Sequence, residues 1–105
     1  MLDTEMVRTA LMNVIDPEIG LDIVNLGLIY NIAIQDGGQR VDVDMTLTTP
    51  NCPAGPSIVT QAKNEIMALS DVYKSLEDVN INLVWVPFWN PSMMSDEAKD
   101  ELGIY

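Results

Sequence analysis

The chain has 105 residues, 48% of them hydrophobic and 20% charged, which suits one compact domain with its own core and argues against disorder. Sixteen acids against five bases leave a net charge of -11, so phosphate backbones and anionic membrane surfaces are repelled and nucleic acid and membrane are not expected partners. One cysteine and no histidine exclude an intrachain disulfide, a structural zinc site and any Cys–His nucleophile.

The acidic start Leu2-Asp3-Thr4-Glu5 is unlike a signal peptide, and the best apolar stretch, Leu83 to Trp89, is short and contains Pro87. A cytoplasmic, reducing setting follows as the expectation, in which a lone thiol stays free. From Thr4 to about Val14, Met6, Ala10, Leu11 and Val14 share one helical face with Val7 beside them. Pro17 disfavours helical geometry at Asp16, and Gly20 permits a turn. Asp16 and Glu18 then sit on a rigid loop, either as an ordinary polar turn or as two carboxylates facing a site.

Leu28, Tyr30, Ile32 and Ile34 alternate with Ile29, Asn31, Ala33 and Gln35, the pattern of a strand with one strongly apolar face. Asp36-Gly37-Gly38 supplies the positive-φ positions of a tight hairpin. Val41, Val43, Met45 and Leu47 alternate with Asp42, Asp44, Thr46 and Thr48, a half-buried strand with its acidic face outward. A second helix is predicted from Cys52 or Pro53, with Ile58, Val59, Ala62, Ile66 and Leu69 as its stripe. Val79, Ile81, Leu83 and Trp85 mark a third strand that Pro87 ends. Ser95 caps a short last helix with Asp96 and Glu97 in its first turn. The order α-β-β-α-β predicts a two-layer α/β (α+β) sandwich with a three-stranded mixed sheet, its second and third strands joined by the helix.

Cys52 is the residue with the most chemistry. At a helix start it meets unpaired backbone N–H groups and the positive dipole end, which favour the thiolate, the form that binds metal and attacks electrophiles. The competing reading is a small buried hydrophobe. Thr48 and Thr49 place hydroxyls just upstream. Both tryptophans and the only phenylalanine fall within Trp85-Val86-Pro87-Phe88-Trp89, with Met93 and Met94 following. That run is either core at a strand end or an exposed patch for a partner, with Trp85, Phe88, Trp89 and Met94 as its candidate residues.

Three segments together resemble one family. Asp16-Pro17-Glu18-Ile19-Gly20-Leu21-Asp22-Ile23-Val24-Asn25-Leu26-Gly27-Leu28-Ile29-Tyr30 resembles the opening signature of the domain-of-unknown-function-59 family of iron–sulfur cluster assembly factors, which includes SufT-like and PaaD-like members. Thr48-Thr49-Pro50-Asn51-Cys52-Pro53 resembles its cysteine motif, and Trp85 to Trp89 with Met94-Ser95 and Ala98-Lys99 resembles its C-terminal signature. The resemblance spans essentially all of residues 1–105 and implies a single iron–sulfur cluster assembly-type domain. It implies a pocket of Asp16, Glu18, Ile19, Thr48, Thr49 and Cys52, with Cys52 as a cluster ligand.

The resemblance is to a stand-alone domain, with neither the P-loop ATPase fused to some relatives nor the cysteine-rich tail of PaaD-type members expected, which points to the SufT-like branch. The function so implied is maturation of iron–sulfur proteins, as a carrier, targeting factor or assembly adaptor and not as an enzyme. No permanent cofactor is expected, only a transient iron–sulfur cluster. The expected partners are an assembly scaffold or client apoproteins. One cysteine cannot complete a cluster site, whereas a homodimer offers two thiolates. A metal-free adaptor for assembling a metalloenzyme complex, such as a ring-hydroxylating or phenylacetyl-CoA oxygenase, is the alternative, and a small thiol enzyme is a further one.

Overall fold

The computed structural model describes residues 2–49 and 51–103; Pro50 of the cysteine motif lies outside them. Helix α1 runs Thr4–Leu11, strands β1 and β2 run Ile29–Gln35 and Arg40–Met45, helix α2 runs Gly55–Met67, strand β3 runs Asp78–Leu83 and helix α3 runs Asp96–Leu102. The sheet order is β1-β2-β3. β1 and β2 are antiparallel and β2 and β3 parallel, so the sheet is mixed and α2 is the crossover. Helices α1 and α2 pack on one face of it over a single apolar core, the two-layer α+β arrangement expected from the pattern.

The Asp3 carboxylate caps α1 by accepting from the Met6 amide at 2.9 Å. The helix stops at Leu11 instead of continuing to Val14. The Asn13 and Val14 amides bond to the carbonyls of Ala10 and Leu11, tightening the chain into turns that deliver Ile15 to a bridge with Asp22. Val7, Ala10, Leu11 and Val14 are buried, whereas Met6 is exposed and leaves the core to Val7.

Between β1 and β2 the chain makes a short 3-10 turn, Asp36–Gly38, in which all three residues take positive φ. The alternation predicted for β2 is observed: Val41, Val43 and Met45 are buried and Asp42 and Asp44 half-exposed. The regular strand ends at Met45, three residues before Thr48, although the Thr46 amide still reaches the Leu28 carbonyl at 2.8 Å. Thr46 itself is fully buried, and its hydroxyl has no hydrogen-bond partner. In α2, Ile58, Ala62 and Ile66 are buried; Leu69 falls in the 3-10 turn that follows. β3 ends at Leu83 and not at Trp85.

The C-terminal segment is clasped to the chain around residues 25–30. A bulge in β1 leaves Tyr30 as the extra residue, and its hydroxyl donates to the Pro87 carbonyl at 2.8 Å. The Trp89 indole N–H donates to the Leu26 carbonyl at 2.6 Å. The Ser95 amide and hydroxyl donate to the Asn25 carbonyl and Oδ1, each at 2.8 Å. Gly27 lets the two segments touch: it has φ +80°, and a Cβ there would overlap the Met93 carbonyl oxygen and lie 2.8 Å from its carbon.

Candidate functional site: a shielded thiol beside α2

The loop between β2 and α2 carries the cysteine. The Cys52 amide donates to the Thr49 carbonyl at 3.2 Å, and the Cys52 carbonyl accepts from the Gly55 amide at 3.1 Å. Two successive turns therefore hold the cysteine by its main chain. The helix starts at Gly55 and not at Cys52 or Pro53, because those turns must close first; Pro56, not Pro53, fills the early helical position where a missing N–H is harmless. Cys52 precedes the helix by three residues instead of forming its first turn. No side chain caps this helix end and no acid lies in its first turn, so its positive dipole end is not neutralised locally.

Cys52 is 7% exposed and packs with the core. It also lines a groove of about 670 Å³ with Leu47, Gly55, Val59, Leu83 and Trp85, in which no charged side chain takes part. The thiol is thus both a core contact and the one soft nucleophile of an apolar cleft. The cleft lies where β2 and β3 deliver their carboxyl ends beside the helix between them, the position at which α/β units place ligand sites. Gly55 keeps it open: a Cβ there would meet Leu47 Cδ1 at 2.8 Å.

The remaining residues expected at the pocket are distributed differently. Thr48 is half-buried and Thr49 exposed, and neither side chain lines the groove. The Thr49 hydroxyl accepts from the Asn51 amide at 3.4 Å, a local turn contact. Asp16 is buried, and its carboxylate accepts from the Glu18 amide at 2.9 Å while its carbonyl accepts from Gly20 at 2.7 Å. Its visible work is to hold its own loop. Glu18 is exposed and Ile19 half-buried, and none of the three borders the groove. Among the described residues no group of three or more Cys, Asp or Glu is arranged to hold a metal ion.

The four residues assigned to a partner surface also divide. Met94 is 5% exposed and belongs to the core, and Trp89 is tied to Leu26, so these two hold the C-terminal segment in place. Trp85 lines the thiol groove. Phe88 is 68% exposed, and Val86, which the sequence reading passed over, is 83% exposed. The groove residues Leu47, Val59 and Leu83 were missed as well, since each reads from sequence as an ordinary core position of its strand or helix.

Fold and site together define a small α+β domain that presents one shielded cysteine at the carboxyl end of a β-α-β unit. The model of a family described as iron–sulfur cluster assembly protein matches residues 4–79. The chain is 46% identical over 91 residues to the Fe-S protein maturation auxiliary factor SufT of Staphylococcus aureus, covering 87% of this chain and 98% of that one. It is 41% identical over 100 residues to the Fe-S protein maturation auxiliary factor YitW of Bacillus subtilis, covering 95% and 93%. The crystal structure of a domain of unknown function, DUF59, from Bacillus anthracis superposes with a TM-score of 0.84 at 38% identity, covering 96% of this chain and 92% of that one. The chain belongs to the iron–sulfur cluster assembly protein family.

Proposed function

We propose that this protein is an iron–sulfur protein maturation factor that acts as a carrier or targeting adaptor and not as an enzyme. The observation that carries the reading is Cys52, held by main-chain hydrogen bonds in the lining of an apolar groove that has no charged neighbour. A thiol so placed gives up its proton when it ligates iron, and the surrounding apolar wall keeps water from competing for the cargo. Because no second ligand stands beside it among the described residues, the cargo's remaining ligands come from the donor or the receiving apoprotein. Release then needs only one protein bond to break, which suits transfer better than storage. Val86 and Phe88, exposed just past the groove residue Trp85, supply the contact that brings a client to the thiol. Among the described residues no helix is long and apolar enough to cross a membrane.

The test is replacement of Cys52 by serine in cells grown under iron limitation, reading the activity of iron–sulfur enzymes. The variant should lower that activity while the protein level stays unchanged. Undiminished client activity would sink the Cys52-based role. Parallel anaerobic incubation with iron and sulfide should give charge-transfer absorbance with the native chain and none with Cys52→Ser.

A further inference from the structure

Past the end of β3 the chain alternates between two grooves. Leu83 and Trp85 line the thiol groove, whereas Val84 and Val86 line a second groove of about 660 Å³. The Val84 amide still bonds to the Met45 carbonyl at 2.8 Å, so the two-sided pattern of the strand continues beyond its last regular residue. The second groove therefore lies on the other side of the same main chain. It opens beside the outward face of β2, and Asp44 stands in its lining. Among the described residues that line it, Asp44 is the one charged side chain; Ile29, Tyr30, Pro87 and Met93 are apolar or uncharged.

Asp44 has no cation of its own. The five bases are Arg8 on α1, Arg40 on β2, Lys63 on α2, Lys74 in the loop before β3 and Lys99 on α3. Only Arg40 stands on the sheet, and its guanidinium is engaged by Asp42 at 3.0 Å, the single ion pair among the described residues. Asp44 accepts one long hydrogen bond, from the Asn82 side-chain amide at 3.3 Å. At the mouth of the groove Val86 and, two residues on, Phe88 hold their side chains out to water.

We propose that this second groove docks a polypeptide segment that carries a lysine or arginine next to an apolar side chain, the cation pairing with Asp44 and the apolar group covering Val86 and Phe88. Filling an apolar groove strips water from the carboxylate in its lining, which is tolerated when the occupant brings an opposite charge. A metal ion or a small polyamine would answer Asp44 and leave Val86 and Phe88 wet, so the occupant is a polypeptide. A second copy of this chain is a poor match, with five bases against sixteen acids. Nucleic acid and anionic membrane bring phosphate toward Asp44 and are repelled. Calling the occupant a client rests on the carrier reading; the dock itself rests on the groove and its charge. Residues 83–86 are a wall common to both grooves, so a client seated in one lies back to back with the thiol groove.

The probes are two capped synthetic peptides, Gly-Lys-Leu-Phe-Lys-Gly and the same sequence with glutamate for each lysine. They are titrated into the full isotope-labelled chain at 0.1 M salt, where charges beyond about 10 Å are screened. The basic peptide should shift amide signals at residues 27–31, 44 and 82–88 and leave those of α1 in place. The acidic peptide should shift none. Asp44→Asn should weaken the basic peptide about fivefold, the size of one partly exposed ion pair, and Val86→Ser by at least as much. Asp71→Asn removes the same charge from the loop after α2, at the opposite end of the sheet, and should leave the affinity within about 1.5-fold. Asp44 is half-exposed and Val86 exposed, so an unchanged circular dichroism spectrum is expected of both variants.

Equal binding of the two peptides, absence of binding, or shifts centred elsewhere would overturn the proposal. Equal losses with Asp44→Asn and Asp71→Asn would overturn it too, since net charge alone would then attract the peptide. A two-chain mass in sedimentation that Val86→Ser returns to one chain would seat a second copy in the groove instead. Peptide binding is read on the purified chain and the Cys52→Ser experiment reads client maturation in cells, so each reading can fail while the other stands.

Discussion

Gly27 and Gly20 form a matched pair of probes for the C-terminal clasp. Their φ angles are +80° and +83°, so alanine at either incurs the same left-handed penalty of about 1–2 kcal/mol. Around Gly20 nothing lies within 4 Å of an added Cβ, whereas at Gly27 that atom would overlap the Met93 backbone. A main-chain atom cannot step aside as a side-chain tip can. The segment must retreat, weakening the bonds from the Trp89 indole to the Leu26 carbonyl and from the Ser95 amide to the Asn25 carbonyl. Two hydrogen bonds at about 1 kcal/mol each add about 2 kcal/mol to the backbone term. Gly20→Ala should then cost about 1–2 kcal/mol and Gly27→Ala about 3–4 kcal/mol. With a urea slope of about 1.5 kcal/mol/M, the midpoints should fall by about 1 M and about 2.3 M. Equal midpoints for the two variants would refute the argument that the Gly27–Met93 approach closes the fold.

Thr46→Val replaces a buried hydroxyl without a partner by a methyl of similar size and should stabilise the fold by about 1 kcal/mol in the same urea titration. Met94→Ala should cost about 2–3 kcal/mol because Met94 is core, while Phe88→Ala should stay within about 0.5 kcal/mol and instead reduce client capture in pull-downs. Alkylation of Cys52 should run at least about tenfold slower in the native protein than in urea, since the thiol is 7% exposed; equal rates would mean that the groove does not shield it. Gly55→Val should slow native alkylation further by filling the groove, with little effect on the rate in urea.

The strands and helices were legible because their apolar periods are clean: Val41, Val43 and Met45 on one face of β2, and Ile58, Ala62 and Ile66 along α2. The ends were not. Hydrophobic period cannot register that α1 must unwind after Leu11 to let Ile15 reach Asp22, or that two turns around Cys52 delay α2 to Gly55. At the site, the thiol's place before a helix was readable and its surroundings were not. Asp16 reads as a free carboxylate until the Glu18 amide is seen to occupy it. Trp89 and Met94 read as a patch because a sequence does not show that residues near 26 come back to cover them. Leu83 and Val59, which make the groove, follow the ordinary pattern of a core and carry no local mark of their second use.

The clasp that joins residues 25–30 to 87–95 also has a consequence for synthesis. Leu26 and Leu28 are made early, yet the lid over that end of the core includes Trp89, Met94 and Ala98, which leave the ribosome well after them. During that interval the nascent chain has β1, β2 and an unfinished apolar end. Chains grow at about 5–20 residues per second, so the gap lasts several seconds. Over that time the protein depends on its dense negative charge, and on any holding chaperone, to stay unassociated. A fold completed last at its C-terminal segment is one that the cell can hold open until synthesis passes Ala98.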